Sequence, residues 1–183
     1  MVTVNLIIDS DVAAKDVVKI KEAANLLARA WNTEEFKEFV LKFNYEHVWY
    51  TGSLWWKQRH SELVRSFYYT DLTKEQVYQK LMDCAEDLSP VKDQEIDICI
   101  DTYYKNNGVI GYTYPNTKWQ WINLKFFKNY TAADVASNFA HEFAHKLGFD
   151  HEYNFTNNRQ YSVPYAVGYK INEICNKLLK QEK

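Results

Sequence analysis

The stretch that most constrains this chain is residues 131–151, TAADVASNFAHEFAHKLGFDH. Thr131, with Asp134 three residues later, predicts a helix N-cap, and small helix formers follow. Val135, Phe139, Phe143 and Leu147 recur at every fourth residue, which predicts one apolar stripe turned towards a core. His141 and His145 lie one helical turn apart, so both imidazoles leave the helix from the same side. Glu142 is displaced from them round the helix by about 100°. Gly148 falls where a helix ends on a left-handed residue, a conformation that glycine adopts without steric cost. A sharp turn there returns His151 towards the first two imidazoles.

Zinc held by three neutral imidazoles keeps a fourth tetrahedral position for water, whose pKa falls from about 15.7 to about 7. A carboxylate beside that water, but not ligating the metal, can take its proton and pass it to a leaving amine. His141, His145 and His151 are therefore the candidate ligands, and Glu142 the candidate general base and acid. A helix that carries two His and a Glu without any metal is the plainer alternative for the short motif alone.

HEFAHKLGFDH resembles the extended HExxHxxGxxH signature of the metzincin zinc endopeptidases at every fixed position. The resemblance implies a peptidase with one catalytic Zn2+, in which Gly148 permits the turn to the third ligand. GFDHE, residues 148–152, is also similar to the astacin version, which has Glu after the third His. Members of the family place a Met-containing turn beneath the zinc, whereas this chain has only Met1 and Met82. With Val163 in that position, Tyr165 stands where astacin-like enzymes carry a Tyr beside the metal. The resemblance gives Tyr165 a role in stabilising the oxyanion or touching the zinc; a packing Tyr at the start of a helix fits the residues equally.

A chain of 183 residues fits one domain with a substantial core. Net charge of −2 gives no polyelectrolyte footprint, so no nucleic-acid partner is expected. The 14 Tyr and 6 Trp are expected to line a core or groove rather than a carbohydrate platform. Cys84, Cys99 and Cys175 are odd in number and widely spaced, which argues for free thiols in a reducing compartment. MVTVNLIIDSD has no basic n-region and no long apolar run. The expected location is therefore cytoplasmic, or reached by export without a classical signal peptide. No transmembrane segment or membrane partner is expected.

Val2, Val4, Leu6 and Ile8 alternate as a first strand, and Ser10 or Asp11 caps a helix to about Trp31 with Val17, Ile20, Ala24 and Leu27 inward. Asn32 with Glu35 predicts a capping box for a helix over Phe36, Phe39, Val40 and Phe43. Residues 45–70 show a turn at Thr51-Gly52, and His47 and His60 lack metal-ligand spacing. Thr73 with Gln76 opens a helix to about Asp87. Ile96, Ile98 and Ile100 alternate with Asp97, Cys99 and Asp101 as a strand, with the carboxylates solvated rather than binding calcium. Asn106-Asn107-Gly108 turns into a strand over Val109–Tyr114, and Pro115-Asn116 into another over Trp119–Phe126. Pro164 fits the first turn of a terminal helix with Val167, Ile171, Ile174 and Leu178 on one side.

These elements predict a single α/β (α+β) domain over 1–183, and the resemblance implies the zincin or metzincin type: a twisted mixed sheet, a long backing helix, the histidine-bearing helix and a C-terminal helix. Residues 1–130 supply the sheet and helices, 131–147 the active-site helix, and 148–183 a small part with the third His. On the family's fold, the backbone of Val109, Ile110, Gly111 and Tyr112 belongs to the edge strand that pairs with a peptide or protein substrate. An edge strand blunted by its neighbours is the alternative. The expected function is zinc-dependent hydrolysis of internal peptide bonds. The alternative is a catalytically silent, zinc-stabilised binding or scaffold protein of the same fold.

Overall fold

A computed structural model describes residues 1–45, 48–50, 69–70, 72–114, 117–151 and 156–182. The turn at Thr51-Gly52, His47, His60, Pro115-Asn116 and Glu152 lie outside the described residues. In chain order the structure runs through β1 (Thr3–Ile8), α1 (Ala14–Trp31), α2 (Glu34–Lys42), β2 (Val48–Tyr50), β3 (Tyr69–Thr70) and α3 (Lys74–Asp83). It continues with β4 (Glu95–Tyr103), β5 (Gly111–Thr113), β6 (Trp119–Asn123), α4 (Leu124–Phe127) and α5 (Ala132–Lys146). After β7 (Phe149–Asp150) and a 3-10 turn (Arg159–Tyr161), α6 (Val163–Gln181) closes the described chain.

The main sheet has the order β1-β4-β6-β5, in which β1, β4 and β6 are parallel and β5 is antiparallel at the edge. This is a mixed α/β architecture. Ile96, Ile98, Ile100 and Ile122 are fully or almost fully buried on the face that meets α1 and α5. The stripe expected on α1 is largely what the structure buries, with Ile20 and Leu27 at 0 % exposure and Trp31 at 1 %. Helix α5 lies at the centre of the molecule, against α1 on one side and α6 on the other. Val135, Ala136, Phe139, Ala140, Phe143 and Ala144 are its buried residues there. Among the described residues no helix is long and apolar enough to cross a membrane.

Helix α1 starts at Ala14 with Ala13 at its N-cap and no side-chain cap, not at Ser10 or Asp11. Four further boundaries differ from the sequence reading, each for a local reason. Asn32 does not cap α2, because its amide is taken by the backbone N–H and carbonyl of Val2, and Thr33 caps instead. Helix α3 stops at Asp83 rather than near Asp87, since Cys84 turns left-handed at φ 53. The strand expected over 109–114 begins only at Gly111, because Asn123 holds the carbonyls of Val109 and Ile110. The strand expected to reach Phe126 ends at Asn123, whose side chain accepts from Lys125 N and starts α4.

The C-terminal end of α5 is pinned by a buried cation. Lys146, 4 % exposed, donates to the carbonyls of Asp97 and Lys118, and its own carbonyl accepts from Asp87 N. Glu86, 5 % exposed, accepts from Asp97 N at 3.3 Å beside it. Burial pushes the Glu86 carboxyl up to about 7, opposed only in part by Lys146. A folded pKa above the ordinary 4.5 means this group's stability contribution is complete below about 4.5 and lost as pH rises through about 7. Glu86→Gln should remove that decline, so its stability relative to wild type should improve by roughly 2–3 kcal/mol between pH 5 and pH 8. Denaturant unfolding at both pH values checks this, and a gap that does not change with pH contradicts it.

Candidate metal centre

The ligand helix begins as its sequence implies. Thr131 and Asp134 form a reciprocal capping box, and Asp134 also accepts from Asn172 of α6 at 2.9 Å. At the other end, Gly148 adopts φ 90, a conformation that L side chains rarely take, and its N–H donates to His145 O at 3.0 Å. The chain then enters β7, where Phe149 and Asp150 pair antiparallel with Tyr50 and Trp49 of β2. That pairing holds the residues leading to His151, and nothing in the sequence of 45–70 announced it.

The outcome is a convergence of His141, His145 and His151. Their ring centroids lie 5.0, 5.2 and 4.9 Å apart, and one ligand atom from each can be chosen so that all lie within 4.8 Å of one another. A tetrahedral ion with metal–nitrogen bonds of about 2.0–2.1 Å sets its nitrogens roughly 3.3 Å apart. Side-chain movements of about an ångström therefore close the trio on an ion, and the donor set fits a divalent metal. His145 Nδ1 lies 2.9 Å from Phe149 O, which leaves Nε2 as the ligand atom. His141 hydrogen-bonds the backbone of Pro164, which has only a carbonyl to offer, at the start of α6. Burial, with the other two imidazoles next, holds His141 well below the usual histidine range, and neutral imidazole is the metal-binding form.

Glu142, 5 % exposed, reaches the backbone of β5 at Thr113. Asn138 Nδ2, one turn earlier, donates to Glu142 Oε1 at a long 3.5 Å, and the Thr113 backbone N–H also reaches the carboxylate. Burial pushes this carboxyl up to about 8 despite both donors; a dication on the neighbouring imidazoles acts in the opposite direction. The β5 register explains the contact with Thr113. Asn123 N donates to Ile110 O, so Ile110↔Asn123 and Tyr112↔Trp121 are the hydrogen-bonded pairs. Gly111 and Thr113 then turn their N–H and carbonyl groups outward, to the edge of the sheet that no described strand pairs with.

Of the four residues expected on that edge, Gly111 alone presents its backbone outward beside the site. Tyr112 bonds inward to β6, and Val109 and Ile110 precede the strand with their carbonyls taken by Asn123. Gly111 also lets β5 approach α5: a Cβ there would stand 2.7 Å from Asn138 Oδ1 and 3.0 Å from Trp121 O.

Tyr165 lies against the trio, its ring centroid 4.6 Å from that of His141 and 4.9 Å from that of His151. Arg159 lies over its ring at 4.9 Å and hydrogen-bonds its hydroxyl, opposing the burial that raises the phenol. Val163, proposed in place of the family's Met, is fully buried at the first position of α6. Sequence reasoning missed Asn138, Thr113 and Arg159. Asn138 was legible as the residue one turn before Glu142; Thr113 and Arg159 act through the strand register and the loop path, which carry no motif. Asp97 and Asp101 take part in ordinary hydrogen bonds, to Asn5 and to Trp121 respectively. Cys84, Cys99 and Cys175 are free and buried.

No protein-family model, curated protein or solved structure matches this chain.

Gly111→Ala should lose about 1–3 kcal/mol of stability through the crowded methyl group. In an Asn138→Ala background, that cost should fall by at least about 0.5 kcal/mol. Thermal or denaturant unfolding of the four proteins gives the coupling, and strictly additive losses contradict the contact.

Proposed function

We propose that this chain is a zinc-dependent endopeptidase whose site is of the metzincin type. The observation that carries this reading is that the outer edge of β5, unpaired among the described strands and so able to take an extended peptide as a further strand, reaches Glu142 on the helix of two candidate ligands. The ligand count supports it as well. Structural zinc sites are closed by four protein ligands, whereas the group assembled among the described residues is three histidines.

Zinc, when bound by His141, His145 and His151, supplies a Lewis acid that polarises a carbonyl and a water that is nucleophilic near neutral pH. The chain's own residues do the rest. The outward N–H and carbonyl of Gly111 and the outward carbonyl of Thr113 hold the peptide extended, so that its scissile bond lies along the edge. Glu142 takes the proton of the attacking water as the new C–O bond forms. It returns that proton to the amide nitrogen as the C–N bond breaks, leaving a free amine and a carboxylic acid. Tyr165, whose hydroxyl is hydrogen-bonded by Arg159, donates that hydroxyl to the developing oxyanion. Asn138 and the Thr113 N–H hold the Glu142 carboxylate at the edge.

Glu142→Gln should retain one zinc per chain and lose on the order of 10³-fold or more in kcat on a mixed peptide substrate. His145→Ala should lose the metal. Metal analysis beside a cleavage assay checks both. Turnover unchanged in Glu142→Gln removes Glu142 from its role, and one zinc per chain in His145→Ala refutes the ligand set.

A further inference from the structure

Two sets of groups leave β5 in different directions. In the plane of the sheet, the backbone of Gly111 and Thr113 points to the open edge. Out of the plane, side chains alternate: the Gly111 position faces Asn138 on α5, so Tyr112 and Tyr114 stand on the opposite, outer face. There Tyr112 stacks on Trp121, its cross-strand partner, with centroids 5.1 Å apart and planes 18° off parallel. Tyr103 meets Tyr112 edge-on at 5.1 Å, and Tyr114 lies 5.3 Å from Tyr112. All four rings lie outside the main core, and Tyr114 is 51 % exposed. A connected set of rings at the open margin of a sheet offers contact area that the core does not use.

We propose that Tyr112 and Tyr114, backed by Trp121 and Tyr103, form a specificity subsite for an aromatic or large aliphatic side chain of the peptide strand that adds to β5. The inference rests on the peptidase reading for the identity of that strand. Any strand paired with β5, parallel or antiparallel, sends alternate side chains to opposite faces. The residue opposite Tyr112 places its Cβ about 4.5–5.5 Å from that of Tyr112, over the aromatic face. Its two neighbours face α5 and the histidines. Selection therefore falls on every second residue of the substrate. Asp101, the carboxylate beside these rings, already accepts from Trp121 Nε1 at 3.1 Å and from Thr102 N, which favours an apolar occupant over a basic one.

The test is selection from a randomised linear peptide library on zinc-loaded Glu142→Gln protein, where the readout is binding rather than turnover. Aromatic or large aliphatic residues should be enriched at one position, or at positions two apart. Tyr112→Ser and, separately, the more exposed Tyr114→Ser should lose that enrichment, retain zinc, and weaken the best peptide roughly fivefold. The subsite is overturned if both variants give the parent profile, if Lys or Arg is enriched there instead, or if no peptide binds. The two readings fail separately. If wild type leaves intact the peptides that Glu142→Gln selects, the peptidase reading fails and the subsite stands. If wild type cleaves with no preference at alternate residues, the subsite fails and the peptidase stands.

Discussion

The arrangement depends on how α5 ends. A helix alone can align His141 with His145, but no helical geometry brings a residue six positions further on back to the same point. Three constraints at that end supply it. Lys146, buried between carbonyls of β4 and of the chain entering β6, fixes the last turn. Gly148 reverses the chain with a positive φ that a side chain would strain. Pairing of β7 with β2 then commits the next two residues to a fixed path. The third imidazole arrives because the backbone is held on both sides of the turn.

The second feature of the site is its economy of charge. Burial and the two neighbouring imidazoles favour the neutral form of His141, and the hydrogen bonds of His141 and His145 go to backbone carbonyls at Pro164 and Phe149. Carbonyl acceptors fix tautomer and ring orientation without adding a charge. Glu142 is the exception, a buried carboxylate served by one backbone donor and one distant amide. A carboxylate so placed is expensive to keep ionised without a cation nearby. The same edge strand that donates to it carries the aromatic face, so Glu142 and the proposed side-chain subsite sit on opposite sides of one three-residue strand.

Much of this was legible in the sequence where local rules decide. The capping boxes at Thr73 and Thr131, the stripe on α5, the spacing of the two His and the glycine stop are all short-range signals, and the structure carries them. The less legible parts depend on partners distant in sequence. Asn32 has the residue type of a cap, yet β1 takes its amide. The 109–114 segment has strand composition throughout, yet Asn123 shortens it by claiming two carbonyls. The strand that steadies β7 comes from the aromatic stretch after residue 45, where neither periodicity nor turn chemistry gave a clear element. Thr113 and Arg159 meet the site only because of register and loop path.

The most direct test of the central claim is zinc-edge X-ray absorption on the zinc-loaded protein. The account predicts one zinc surrounded by three imidazoles and one further light-atom ligand, with nitrogen or oxygen neighbours at about 2.0–2.1 Å. Sulfur neighbours at about 2.3 Å, or an imidazole count other than three, would place the metal elsewhere and contradict the site built from His141, His145 and His151.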